Sequence, residues 1–267
     1  MTTMTYTVTD SVTMTRRNLR RLLRYPSMTV LLVGVPIVFL VLFVYVLGGQ
    51  LSHGLGTTLA GGHAGRAGYL NYFVPGILLL AVAAAVQGTA IVVAMDMNGG
   101  IIDRFRTMAI ARSAVLTGHV VASVIQTLAS IVVVTLFAIA LGFRPTADPV
   151  EWLAAVGILA LFSFALIWLA TALGLAAKSV ETASNTPMFL ILLPFLGSGF
   201  VPASSMSAGV RWFAGNQPFT PIIETLRGLL TGTPIGHNAV LAVTWCAGLT
   251  LGGYLWARAA YNRGPVR

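Results

Sequence analysis

Glu224 and Arg227 stand three residues apart in TPIIETLRGLL, a spacing that sets an acid and a base on one face of a helix. A charged pair among apolar residues is costly, so it either serves function or braces its own helix, and bracing is the simpler reading at this spacing. Few other groups could do chemistry. No paired carboxylates lie on the faces of the apolar runs, and His53, His63, His119 and His237 show none of the spacing of a zinc-hydrolase site. Cys246 is the single cysteine, which leaves neither a disulfide framework nor a thiolate metal site. Lys178, the single lysine, is followed by Ser179 but lacks the glycine-rich turn that cradles phosphates in a P-loop. The uncharged polar and aromatic groups Gln87, Gln126, Trp168 and Trp245 lie inside apolar runs. They could line a path for an amphipathic molecule, and helix packing explains them equally well. Gly248 and Gly252 form a small-xxx-small pair of the kind that lets two helices approach closely.

The composition names the solvent. Of 267 residues, 57% are hydrophobic and 9% charged, against about 25% charged in ordinary globular domains. Lipid must cover much of the exterior. The net charge of +9 invites a nucleic-acid reading, but the cations cluster between apolar runs on one side, which is the positive-inside pattern. Fifteen of the sixteen cations are arginine, and alanine and glycine abound, a bias that suits a GC-rich bacterial genome.

A helix rising ~1.5 Å per residue needs ~20 apolar residues to cross the hydrocarbon core. Five runs meet that length: 28–47, 72–95, 115–141, 152–177 and 239–257. The first exceeds the apolar core of a signal peptide and follows a long polar segment, so cleavage after Gly48 is the lesser reading. Residues 187–201 form a shorter run broken by Pro187, Pro194, Gly197 and Gly199. They are completed either by an earlier start near Val180 or by a second short helix, Thr220 to Leu230, with Thr220 as N-cap, Pro221 in the first turn and Gly232 as stop. The second of these gives a re-entrant or interfacial helical hairpin from the outer face, so the expected fold is an all-α, six-span membrane protein with a broken fifth span and outer re-entrant helices. With the N-terminus inside, twelve cations fall on the inner side and four on the outer, so both ends face the cytoplasm. The chain divides into a cytoplasmic segment with an interfacial helix over 1–27, a transmembrane domain over 28–257 and a short tail over 258–267.

Two segments at the inner side have helical patterning of their own. In TRRNLRRLLRY, Leu19, Leu22 and Leu23 fall on one arc and Arg16, Arg17, Arg20, Arg21 and Arg24 on another. That is an amphipathic helix with leucines toward acyl chains and arginines toward anionic headgroups, or a plain positive-inside anchor. In DMNGGIIDRFRTMAIARS, Ile102, Phe105 and Met108 share a face, with Asp103, Arg104 and Arg106 around it. A short helix with such a stripe suits docking into a partner's groove, and a charged loop packed on its own helices is the alternative.

The stretch GGIIDRFRTMAIARSAVLTGH resembles the signature that follows the second span in membrane subunits of ABC-2 type transporters, and among them the daunorubicin-resistance type of drug exporter. Gly100, Ile101, Asp103, Arg104, Phe105, Arg106, Met108 and Arg112 carry the resemblance, while Ala109 replaces a usual proline. A second stretch, FVPASSMSAGVRWFAGNQPFTPIIETLRGLLTG, is similar to the family's outer segment through Pro202, Met206, Gln217, Pro218, Thr220, Pro221, Glu224, Leu226, Arg227 and Gly232. Ser207 departs from a frequent proline there. The resemblance implies that residues 100–113, Ile102 included, form a coupling helix seated on an ATPase subunit, with the N-terminal helix lying beside it. It also implies two permease copies, identical or different, with two ATPase copies that bind ATP and magnesium, while this chain binds no cofactor. The expected place is the bacterial cytoplasmic membrane. The expected cargo is a hydrophobic or amphipathic small molecule such as a drug, an antibiotic or a lipid-like compound, with polysaccharide or lipid as the alternative. An intramembrane lipid-modifying enzyme would need acids, histidines or nucleophiles gathered on span faces, which the sequence lacks, and a passive channel or scaffold would need no ATPase.

Overall fold

In a computed structural model of the chain, the structure describes residues 2–24, 26–47, 66–99 and 112–262, with backbone alone at 2–8, 21–23, 26–28, 47, 66–67 and 112–115. Every regular element among the described residues is helical. The first is α1, Thr2–Arg24, and α2, Pro26–Val41, follows it and continues as a π-helix through Leu42–Leu47. Then come α3, Arg66–Asn98, α4, Arg112–Ala140, and α5, Pro149–Ala176. Short helices α6, Val180–Asn185, and α7, Met188–Leu192, precede a run of turns. Helices α8, Ala208–Asn216, α9, Phe219–Thr231, and α10, Asn238–Asn262, close the described chain.

Five of these helices are long and apolar enough to cross a membrane. They match the five uninterrupted runs of the sequence, with ends that differ by a few residues. Large apolar side chains stay exposed on their outer faces, among them Leu31, Leu136, Leu153, Val240 and Leu251. In water such faces would drive aggregation, whereas in a bilayer they are the solvated surface.

The third helix is the hub. Its window is 72% buried inside the molecule, against 17% for α10, and it packs against α2, α4, α5, α6 and α9. Two apolar clusters form around it. One gathers Val93, Leu116, Trp168, Leu175, Ala257 and Tyr261 at the end of the bundle where α1 lies, the arginine-rich end. The other runs from mid-bundle to the far end through Phe73, Leu78, Phe143, Phe162, Phe219 and Ile222.

Local signals fix the element boundaries. Pro26 follows α1 and starts α2 at its first position, where a missing N–H costs nothing. Asp148 caps α5 by accepting from Glu151 N–H at 2.7 Å, and Glu151 returns a 2.8 Å bond from Asp148 N–H, a complete capping box. Gly232 ends α9 in the left-handed region at φ 73°, which a side chain would strain.

Two expectations need correction. The amphipathic helix does not begin at Thr15; it runs from Thr2, because the threonine-rich segment before it joins the same helix. Nor is Thr220 an N-cap: α9 starts at Phe219 after Pro218, which already has helical angles, and no side chain caps it.

Candidate functional site

The far-end site is built on α9. Its apolar face turns Phe219, Ile222, Ile223, Leu226 and Leu230 into the core, and that orientation carries Arg227 inward as well, where its side chain is 7% exposed. A buried guanidinium needs partners on every donor. Nη1 meets Glu224 Oε1 at 2.7 Å. Nε and Nη2 donate to Tyr72 O at 3.2 and 3.1 Å, and Nη2 also donates to Ser198 O at 2.8 Å. The guanidinium carbon sits 3.8 Å from the centroid of the Tyr72 ring, a cation–π contact. Tyr72 O–H donates to the same Ser198 carbonyl at 3.1 Å. One arginine therefore ties α9 to α3 and to the turn after α7.

That turn is the break in the fifth apolar run. Residues 193–200 are turns rather than helix, and their backbone passes very close to α3. A β-carbon placed on Gly76 would lie 2.7 Å from Gly199 O, so this crossing exists only because both residues are glycine. Gln217 reinforces it by donating from Nε2 to Leu193 O at 3.0 Å. Pro218, Thr220 and Pro221 complete the start of α9, with Pro221 buried and Thr220 half-buried.

The second site lies at the arginine-rich end. Asp96, 1% exposed, ends α3 against the negative pole of its helix dipole, so it requires cations. Arg17 Nη2 of α1 lies 3.1 Å from its Oδ2, and His119 Nε2 of α4 lies 3.3 Å from the same oxygen. Arg17 also donates to Asn18 Oδ1, and Asn18 is buried. Beside them, a β-carbon on Gly118 would sit 2.5 Å from Met14 Cβ, so α1 is seated directly on the start of α4. The buried face of α1 thus includes Met14 and Asn18, with Leu19 half-buried. Arg16, Arg20 and Arg24 are exposed, and the side chains of Arg21, Leu22 and Leu23 lie outside the described residues.

The sequence reading passed over Asp96 and took His119 as an isolated histidine. The available signal was an acid closing a long apolar helix, where both the dipole and the lipid penalise an unpaired carboxylate. The segment expected to dock on a partner, Gly100, Ile101, Ile102, Asp103, Arg104, Phe105, Arg106 and Met108, lies outside the described residues, as does the side chain of Arg112. The site is nevertheless anchored next to it in sequence, because Asp96 precedes Gly100 by a single helical turn.

The four residues considered as path-lining are distributed rather than gathered. Gln87 Nε2 donates to Ser184 O at 2.9 Å, joining α3 to α6. Gln126 Nε2 donates to Thr29 Oγ1 at 3.0 Å, joining α4 to α2. Trp168 is buried edge-on to Tyr254 at 5.0 Å, and Trp245 is partly exposed on α10. Between α4 and α5 an apolar crevice of ≈ 260 Å³ is lined by Leu78, Thr135, Leu136, Trp152, Leu159 and Leu230, among others. Thr146 N–H, donating to Leu230 O at 3.0 Å, ties the following loop to one of these lining residues. Among the described residues, no three acids, histidines or cysteines group as a metal site would require.

Comparison with known proteins agrees with this architecture. The family described as ABC-2 type transporter matches residues 9–231. The chain is 26% identical over 226 residues to the daunorubicin resistance ABC transporter permease protein DrrB1 of Streptomyces coeruleorubidus, covering 84% of this chain and 76% of that protein. It is 23% identical over 175 residues to the probable doxorubicin resistance ABC transporter permease protein DrrC of Mycobacterium tuberculosis, covering 64% of this chain and 63% of the relative.

Proposed function

The chain belongs to the ABC-2 type transporter family, and from that premise we propose that it is the permease subunit of an ATP-driven exporter. Its cargo is a hydrophobic or amphipathic small molecule, a class in keeping with the drug-resistance names of its relatives and with a bundle whose described crevice is apolar. A separate subunit hydrolyses ATP, and this chain conducts the cargo. Two permease copies and two ATPase copies form the working pump. Both termini lie in the cytoplasm of a bacterial cell, and helices α6 to α9 make up a sixth, interrupted crossing whose outer helices re-enter from the external face.

Energy enters through residues 100–112. When nucleotide draws the ATPase subunits together, the helix carrying Ile102, Phe105 and Met108 is pushed. Its displacement passes to the adjoining ends of α3 and α4 and, through Asp96, Arg17 and His119, to α1. The observation that carries this reading is the family match across 9–231, which spans both the docking segment and α9. Phe105→Arg places a charge on the docking stripe. Membrane insertion should survive while co-purification with the cognate ATPase is lost, and a variant that still co-purifies normally removes the docking assignment. Flux into inverted vesicles holding both subunits, with and without ATP, tests the exporter reading itself.

A further inference from the structure

The start of α9 carries more polar chemistry than the Arg227 anchor uses. A helix begins with N–H groups that have no partner inside it, and here no side chain supplies one. Gln217, just before the helix, donates its side-chain amide to Leu193 O, and its Oε1 is buried and unpaired. Thr220 Oγ1 and Ser198 Oγ are likewise buried without a partner. Gln217 and Ser198 are 4% and 2% exposed. Gln217 and Thr220 meet at one locus: a β-carbon on Gly197 would lie 2.7 Å from Gln217 Nε2 and 3.0 Å from Thr220 Oγ1, and Ser198 is the next residue in the chain.

Unpaired polar atoms in a dry interior are costly, and three of them around an uncapped helix start at the break of an apolar run form a preorganised recognition surface. Non-helical backbone at membrane depth persists where protein covers it or where it lines a cavity, and the positive ends of interrupted helices are a recurrent means of holding polar groups of cargo. The chemistry is that of an alcohol. Gln217 Oε1 accepts a hydrogen bond, while the α9 N–H groups and the Thr220 and Ser198 hydroxyls donate. A hydroxyl satisfies both requirements at once and an ether only one. Glu224 already balances Arg227, so the locus adds no net charge for an ionic group.

We propose that Ser198, Gln217 and Thr220, at the uncapped start of α9, bind a hydroxyl group of the exported cargo. The proposal rests on the exporter reading above and names the chemistry of its cargo. The atoms are sealed in this structure, so the cargo reaches them when the 193–200 turn parts from α9.

The test uses the permease–ATPase complex in lipid nanodiscs with two probes, 4-(1-pyrenyl)butanol and its methyl ether. Binding is read by energy transfer from tryptophan, and stimulation by ATP turnover. The wild-type complex should prefer the alcohol by about fivefold, as the one additional net hydrogen bond predicts. Gln217→Met should bring the ratio near one while the ether binds as before, Thr220→Val should weaken both probes, and Thr220→Ser should restore their binding. Equal binding of the two probes by the wild type overturns the proposal. So does a preference that survives in Gln217→Met, which would reduce the locus to a site for a structural water only. If neither probe binds but other lipophilic compounds stimulate ATP turnover, the exporter reading stands and the hydroxyl site falls. If no compound stimulates turnover, both fall.

Discussion

Arg227 concentrates the cohesion of the far end in one side chain. Its partners are two main-chain carbonyls, an aromatic face and one carboxylate, and removing the guanidinium leaves the Glu224 carboxylate without its cation. Arg227→Met should therefore lower the stability of the detergent-solubilised protein by roughly 3 kcal/mol, as breaking a buried pair does. Removing Glu224 as well should recover part of that loss, because the orphaned carboxylate goes too; a thermal-unfolding comparison of single and double variants checks both. Arg227→Lys should behave more like the methionine variant than like the wild type, since an ammonium cannot reach both carbonyls and the carboxylate in fork geometry. At the glycine crossing, Gly76→Ala drives a methyl group toward the Gly199 carbonyl. Overpacking of that kind costs ~1–3 kcal/mol, so a lowered unfolding temperature is expected.

At the scale of elements, the Asp96 cluster and a close contact at Gly118 help to hold α1. Arg17, half in solvent, and buried His119 share a single oxygen of Asp96, and Met14 rests on Gly118. Asp96→Asn keeps the shape and removes the charge that attracts Arg17. Trypsin should then cut after the arginines of α1 on the order of fivefold faster, the factor that about 1 kcal/mol of weakened docking gives. Gly118→Val should release α1 to a similar degree by steric means alone. Unchanged cleavage in both variants would show that α1 is retained by lipid rather than by the bundle. The pair Glu224 and Arg227 could be read from spacing because both partners lie on one helix. Asp96 and His119 could not be paired, because 22 intervening residues place them on different helices and only the packing of α3 against α4 brings them together.

For the whole molecule, the positive-inside bias makes a topological prediction. Cysteines introduced as Arg106→Cys or Lys178→Cys should react with a membrane-impermeant maleimide only from the cytoplasmic side, and Arg144→Cys only from outside. The native Cys246 is fully buried, so it should stay silent until the protein is denatured and needs no removal from the background.

The sequence by itself determined that the chain lives in lipid, where its five uninterrupted helices run, and that residues 187–231 depart from that pattern, because apolar length and proline–glycine breaks are local properties that tertiary packing does not override. It also carried the two stretches that resemble the family. The tertiary structure alone decided that α3 is the hub, that a glycine-to-glycine crossing seats the broken segment against it, and that Asp96, Arg17 and His119 converge. It alone decided, too, that Gln217 donates across the break to Leu193 O. Each of these depends on which faces of distant helices meet. In a bundle whose helices are apolar on nearly every side, the pattern of hydrophobic residues cannot tell a face turned to lipid from one turned to protein.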